Sequence, residues 1–242
     1  MTSISIVIPA YNEESRLPST LESVLSYLGQ KKWSAVEVLV VDDGSTDRTQ
    51  AVVEEYRQEH PAVRLVSNPG NCGKGYSVRH GMVKAAGDWV LFTDADLSAP
   101  ITELEKLLAA ARDRHADIAI GSRALDRSLI GTHQSIFREN AGRFFNLAMR
   151  LIIGLPFWDT QCGFKLFTSN AAHAVFRRAT LDRFGFDVEA LFIARRLGFQ
   201  IVEVPVKWDH VAGTKVSMFR DSADMFLDLL RVRWNQMRGV YK

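Results

Sequence analysis

The stretch LFTDADLSAP (residues 91–100) closes an apolar run, Trp89 to Phe92, with two carboxylates two positions apart. Alternate side chains of an extended backbone share a face, so Asp94 and Asp96 are expected to project the same way from a strand end. Like charges held close stay ionised only when positive charge sits between or beside them. A divalent cation answers that requirement. Hard carboxylate oxygens suit Mg²⁺ or Mn²⁺, which bind through one or two carboxylates plus substrate phosphates. The rival reading is a helix start, because Ser98 and Pro100 precede a helical pattern from residue 101, but a cap employs one carboxylate rather than two. A phosphatase-type pair with a nucleophilic first Asp fits poorly, since this pair follows the fourth strand and continues with Leu97-Ser98 instead of threonine.

Asp42 and Asp43 end a second apolar run. One is expected to make an Asx-turn with Gly44 and Ser45 into a helix near Thr46, leaving the other carboxylate to accept from a base N–H. The segment GNCGKG (70–75) has the composition of a phosphate loop but matches neither common pattern: Gly75 follows Lys74 where Ser or Thr belongs, and Val78 stands at the third-glycine position. Lys74 and Arg79 are candidates for phosphate oxygens and equally for solvated-surface roles. In WDTQCGFKLF (158–167), Asp159, Gln161 and Lys165 interrupt aromatic and aliphatic residues. Cys162 has no base implied nearby and reads as core rather than nucleophile.

These residues need a scaffold that gathers them. Runs 4–9, 36–43, 63–67, 88–94 and 116–122 predict strands, with helices near 14–28, 46–59, 75–86 and 101–114 between them. Strands buried on both faces and separated by helices predict a mostly parallel α/β sheet. Ligands bind past the carboxyl ends of such strands, and the segments there (9–13, 42–47, 67–75, 93–98 and 121–123) are rich in polar residues and glycine. Beyond residue 123 the alternation loosens. Helices are expected at 136–153, 169–178 and 186–197, a strand at 201–208, a loop at 210–215 and a last helix at 217–238.

The 242 residues are 47% apolar and 24% charged, enough for one sizeable core. Thirty Lys and Arg against 28 Asp and Glu leave a net charge of +2, so no general affinity for polyanions such as nucleic acid is expected. Cys72 and Cys162 lack CxxC spacing and read as reduced thiols. No signal-peptide pattern follows Met1 and no apolar run reaches about 18 residues, so a cytoplasmic location without a membrane-spanning helix is expected.

In order, PAYNE, VVDDGSTD, NCGKGYSVRHG, FTDADLS, GSR, DTQCGFKLF, FDVE and VKW…GTKV resemble the family 2 glycosyltransferases, and within them the dolichyl-phosphate β-glucosyltransferases and their prokaryotic polyprenyl-phosphate relatives. The resemblance runs from about Ile4 to the last helix. It implies a GT-A fold, a single mostly parallel α/β domain flanked by helices that binds a nucleotide sugar with Mg²⁺ or Mn²⁺. Residues 1–123 would form the donor half, 124–215 the acceptor half and 216–242 an amphipathic C-terminal helix. By the same resemblance Pro9, Tyr11, Glu13 and Asp43 hold the nucleoside, with Val41 lining its pocket, and Lys74 joins the donor site. Asp94, Ala95 and Asp96 hold the ribose-diphosphate and metal, and Arg123, Arg138 and Lys215 face phosphates of donor or acceptor. Ser98 stands where many mannosyl relatives have a metal-binding glutamine, and Asp209 where they often have arginine. Together with WDHVAGTK and DTQCGFKLF, this tilts the implied donor toward UDP-glucose and away from GDP-mannose.

The implied reaction is inverting hexose transfer. A polyprenyl or dolichyl monophosphate has a second pKa of about 6, so it is largely dianionic at neutral pH and needs no strong base. A glycan hydroxyl would need a carboxylate base, and Asp159, then Glu189, are the candidates. Asp96, Asp159, Arg123, Arg138 and Lys215 form the expected catalytic set. A lipid acceptor also requires a bilayer. The last helix offers Met218, Phe219, Met225, Phe226, Leu229, Leu230, Trp234 and Met237, edged by Arg220, Arg231, Arg233 and Arg238. That surface suits core packing, peripheral contact with the cytoplasmic face of a membrane, or both, and FFNLAMRLII within 136–153 is a second such candidate. A non-catalytic sugar-nucleotide-binding protein is the reading from another class, and the acidic pairs at 42–43 and 94/96 argue against it.

Overall fold

The structure, a computed structural model, describes residues 2–132, 152–211 and 218–242, with side chains from 224 onward in the last segment. Nearly all of the helix expected at 136–153, the candidates Arg138 and Lys215, and the side chains of Met218, Phe219 and Arg220 lie outside the described residues.

Five strands follow the expected runs: β1 (Ile4–Ala10), β2 (Val36–Asp42), β3 (Val63–Ser67), β4 (Trp89–Thr93) and β5 (Ile118–Ser122). Valine, isoleucine and leucine dominate them, residue types that pack well on a pleated surface. Two more strands, β6 (Phe164–Thr168) and β7 (Ile201–Pro205), complete one sheet in the order β3-β2-β1-β4-β6-β5-β7. All neighbours are parallel except where β6 meets β4 and β5. The helices are α1 (Leu17–Gly29), α2 (Thr49–Glu59), α3 (Lys74–Lys84), α4 (Leu104–Asp113), α5 (Ser169–Phe176), α6 (Phe186–Arg196) and α7 (Met218–Met237).

Alternation along each strand feeds two cores. Ile6, Ile8, Val38 and Val40 pack with α1, α2 and α4 on one face of the sheet, while Val7, Leu39, Val41 and Phe92 pack with α3, α5, α6 and α7 on the other. α3 lies close on its face because Gly81 has no Cβ; one placed there would collide with Val7 and Val41.

No strand is expected from the sequence at 164–168, yet β6 sits there, antiparallel between β4 and β5. Phe164, Lys165, Leu166 and Phe167 are all buried, so the run shows no in–out alternation, and five residues are too few for periodicity to identify it. The path of the chain also explains where a ligand would sit. It runs outward from β1 through β2 and β3, then returns to β4 on the other side of β1. Such a switch point opens a crevice at the carboxyl ends of the strands.

Along α7, Met225, Leu229 and Val232 are buried, whereas Phe226, Leu227, Leu230, Trp234 and Met237 are exposed. Among the described residues no helix is long and apolar enough to cross a membrane.

Candidate active site

At the switch point, the turn after β1 and the turn after β2 are laced together. Asn12 N–H donates to Ser45 Oγ at 2.9 Å, Thr46 N–H to Asn12 Oδ1 at 2.8 Å, and Glu13 N–H to Thr49 Oγ1 at 2.7 Å. Asn12 carries a φ of 53°, a left-handed conformation that asparagine tolerates. Pro9 is opposite Val41 in the ladder, Tyr11 is half-buried on the connecting turn, and the Glu13 carboxylate receives Arg16 through Nε and Nη2 at 2.7 and 2.9 Å. The Val41 side chain is fully buried against α3 in the core. Its parity in β2 turns it toward the helix layer.

Both carboxylates of the second acidic pair are engaged. Asp42 makes the expected turn, accepting from Gly44 and Ser45 N–H and from Gln50 Nε2. Asp43 is not left free: it accepts from Asn68 Nδ2 at 2.8 Å and from the N–H groups of Cys72 and Gly73 at 3.0 and 2.8 Å. A carboxylate has about four acceptor sites, so one remains beside these three bonds. The bonds fix the loop that delivers Lys74 at the start of α3. Two glycines of GNCGKG, Gly73 and Gly75, serve this docking. A Cβ on Gly73 or Gly75 would collide with the backbone of residues 181–183. Arg79 is likewise committed, to Asp182 at 2.7 Å and to Ala179 O.

The central pair departs from strand parity. β4 ends at Thr93, and residues 94–97 form a turn closed by Leu97 N–H to Asp94 O at 3.2 Å. Leu97 takes a φ of 45°, a strained choice for a leucine that bends the chain sharply here. Thr20 Oγ1 on α1 anchors the turn by donating to Ala95 O at 2.7 Å. Asp96 Oδ1 accepts from Ser98 N–H at 3.0 Å, a local Asx-turn; it does not cap the helix that follows, whose first turn at Ile101 is preceded by Pro100 and has no side-chain cap. Asp94 Oδ1 is buried and lies 2.7 Å from Lys74 Nζ, an ion pair. The positive charge beside this carboxylate is therefore an ammonium. Burial works against that charge, but the carboxylates of Asp94, Asp187 and Asp96 hold the Lys74 pKa above its ordinary value. A divalent ion suits two hard carboxylates at one turn: Asp96 Oδ2 has no hydrogen-bond partner among the described residues, and Asp94 Oδ1 is held by Lys74, which a stronger cation would have to displace. No cluster of three or more potential metal-ligating side chains occurs among the described residues, so diphosphate or water oxygens would complete the shell.

Beside Asp94 runs a crevice lined by Thr93, Ser98, Cys162, Gly163 and Trp208. Arg123 lies over the Trp208 ring, 5.4 Å from its centroid. Its Nε and Nη2 donate to Asp159 at 2.7 and 2.9 Å, and its backbone N–H donates to the same carboxylate at 3.0 Å. Asp159 is 2% exposed. Burial opposes its ionisation, yet the Arg123 charge and hydrogen bonds, helped by Lys165, hold its carboxyl down at about 2. Cys162 is core, as expected: burial pushes its thiol up to about 12. Glu189 is removed from the site altogether, fully buried and accepting from Thr180, Leu181 and Tyr241. A roomier hollow of about 290 Å³ between Tyr27, Trp33 and Leu108 lies by Thr2, at the other end of β1, and contains no site residue.

Sequence reasoning misses Asn12, Thr20 and the buried pair Lys165–Asp187. Lys165 donates to Asp187 Oδ1 and to Cys162 O. The available signal is the lysine itself, alone among apolar residues in FKLF.

The family model described as Glycosyl transferase family 2 matches residues 5–176. The dolichyl-phosphate beta-glucosyltransferase of Drosophila melanogaster is 38% identical over 251 residues, covering 99% of this chain and 77% of that protein. Its counterpart from Homo sapiens is 37% identical with the same coverage. Among solved structures, glucosyl-3-phosphoglycerate synthase from Mycobacterium tuberculosis in complex with Mn²⁺, UDP and glucosyl-3-phosphoglycerate gives a TM-score of 0.69 at 21% identity, over 96% of this chain and 80% of that one. That likeness is one of fold. The family model and the near-full-length relatives agree, and the chain belongs to glycosyl transferase family 2.

Proposed function

We propose that this chain moves a glucosyl residue from UDP-glucose, with inversion at the anomeric carbon, onto dolichyl phosphate or another polyprenyl monophosphate. The carrying observation is that the candidate bases are already engaged. Arg123 holds Asp159, and Glu189 is buried among its own donors. A carboxyl held near 2 is a weak proton acceptor at neutral pH. A hydroxyl acceptor would need such a base, whereas a phosphate dianion arrives deprotonated. The names of the relatives from Drosophila melanogaster and Homo sapiens support the sugar and the dolichyl phosphate acceptor. A neighbour of similar fold in complex with Mn²⁺ and UDP-glucose is compatible with that donor and metal class.

In this reading an oxygen of the lipid phosphate bonds to C1 of the sugar while the C1–O bond to UDP breaks, its electron pair leaving on the diphosphate. When bound, a divalent cation held by Asp94 and Asp96 would offset charge on the departing diphosphate. Lys74 adds a cation on the same side. Arg123, its orientation set by Asp159 and Trp208, presents a fixed guanidinium to a phosphate. Arg138 and Lys215 are the further proposed clamps, and residues 1–123 and 124–215 the donor and acceptor halves. Pro9, Tyr11, Glu13 and Asp43 remain the proposed nucleoside contacts.

A lipid acceptor brings the protein to a bilayer, and the outward stripe of α7 supports peripheral contact on a cytoplasmic face. Trp234 and Met237 are 58% and 73% exposed, with Arg231, Arg238 and Lys242 nearby in sequence, a pairing suited to an anionic interface.

The test is to supply Mn²⁺, a short polyprenyl phosphate and a choice of UDP-glucose, GDP-mannose and UDP-N-acetylglucosamine, then weigh the lipid product. A glucosyl lipid phosphate is expected. A mannosyl lipid would reassign the donor, and turnover only onto a glycan hydroxyl would reject the acceptor.

A further inference from the structure

The Lys74–Asp94 ion pair creates a conflict for the site. On the metal-and-donor reading above, Asp94 must exchange an ammonium for a divalent cation. A buried ammonium stripped of its counter-ion is costly. A second carboxylate is at hand. Asp187, in the first turn of α6, is 6% exposed and bound by Lys165. Lys74 Nζ and Lys165 Nζ stand 5.8 and 5.7 Å from the centroid of the same Phe92 ring. Asp94 pairs with Lys74 and Asp187 with Lys165, the two lysines are grouped around one aromatic side chain, and Gly75, next to Lys74, packs against Phe186, next to Asp187. The Asp94 carboxylate is seated against the Gly163 backbone, in the space a Cβ there would occupy. The flexible lysine is the partner able to move.

We propose that Asp187 is a positioning residue for metal and donor binding: it takes over the Lys74 ammonium when a divalent cation claims the Asp94 carboxylate. Lys165 pins Asp187 from below, tied by its second hydrogen bond to Cys162 O at 2.6 Å. Asp187 itself need touch neither donor nor acceptor. If the Lys165–Asp187 pair only fastened α6 to β6, any effect on cation binding would be independent of Lys74.

Titration of the full chain with Mn²⁺ alone, reading the free ion by electron paramagnetic resonance, separates these roles. The proteins compared are wild type, K74M, K165M/D187N and K74M/K165M/D187N, with melting curves to verify folding. Removing Lys165 and Asp187 together preserves net charge and leaves neither buried charge unpaired. K74M is expected to bind Mn²⁺ about tenfold more tightly, and K165M/D187N several-fold more weakly. The triple variant should match K74M within about twofold, because the effect of the pair disappears with Lys74. A loss that persists in the K74M background, or no loss in K165M/D187N, overturns the proposal. Should K165M/D187N fail to fold, K165Q/D187N carries the same comparison. D94N isolates the underlying reading: Mn²⁺ binding that survives this change rejects the metal assignment itself, whatever the coupling shows.

Discussion

The Arg123 guanidinium meets Asp159 through two side-chain hydrogen bonds and one from its own backbone, inside a pocket closed by Trp208. Asp159 therefore holds Arg123, and D159N releases Arg123 whichever acceptor is used. That substitution makes a stability prediction. The folded-state pKa of Asp159 lies below its ordinary 3.8, at about 2, so its contribution is present above pH 4 and is lost as pH falls toward 2. Urea unfolding should show D159N destabilised by roughly 2–4 kcal/mol at pH 7, and the gap should narrow by about 1 kcal/mol between pH 5 and pH 3. A gap independent of pH would mean that the pair contributes no differential ionisation. Much of this chemistry is legible in residue types. Asp94, Asp96, Asp43, Lys74 and Arg123 all gather at one edge of the sheet. Their partners are less legible, because the contacts of Lys74 with Asp94 and of Arg123 with Asp159 join residues 20 and 36 positions apart through tertiary structure.

Elements show the same division. Strands β1 to β5 and the helices between them follow from apolar runs and turn residues, since each segment satisfies its own periodicity. β6 does not, because a short strand buried on both faces has no period to read, and the turn at 94–97 begins where an extended reading would continue. α7 carries two apolar faces, one buried through Leu229 and Val232 and one exposed through Leu230 and Trp234. A hydrophobic pattern alone assigns neither face. L230E/W234E places charge only on the outer stripe, so folding should be retained while co-sedimentation with anionic phospholipid vesicles falls at least fivefold. Undiminished sedimentation would remove α7 from the membrane contact. The expected fivefold follows from loss of a few tens of Å² of apolar insertion, about 1 kcal/mol.

For the whole molecule, topology does what no single segment can. The reversal between β1 and β4 brings the laced turns at 11–13 and 43–49 against the carboxylates at 94–96, while the antiparallel β6 and parallel β7 carry Asp159 and its anchor Glu203 to the same edge. Lys74 pairs with Asp94 there, and in the proposed reading a divalent cation bound with the diphosphate would displace it. The most direct measurement is a crystal structure of the chain with UDP and Mn²⁺, using anomalous scattering to locate the metal. Expected is a Mn²⁺ peak bonded to carboxylate oxygens of Asp94 and Asp96 and to the diphosphate, with Lys74 moved off Asp94. Density for UDP with no metal at that turn, Lys74 still paired to Asp94 and Asp96 still bound only to Ser98 N–H would contradict it.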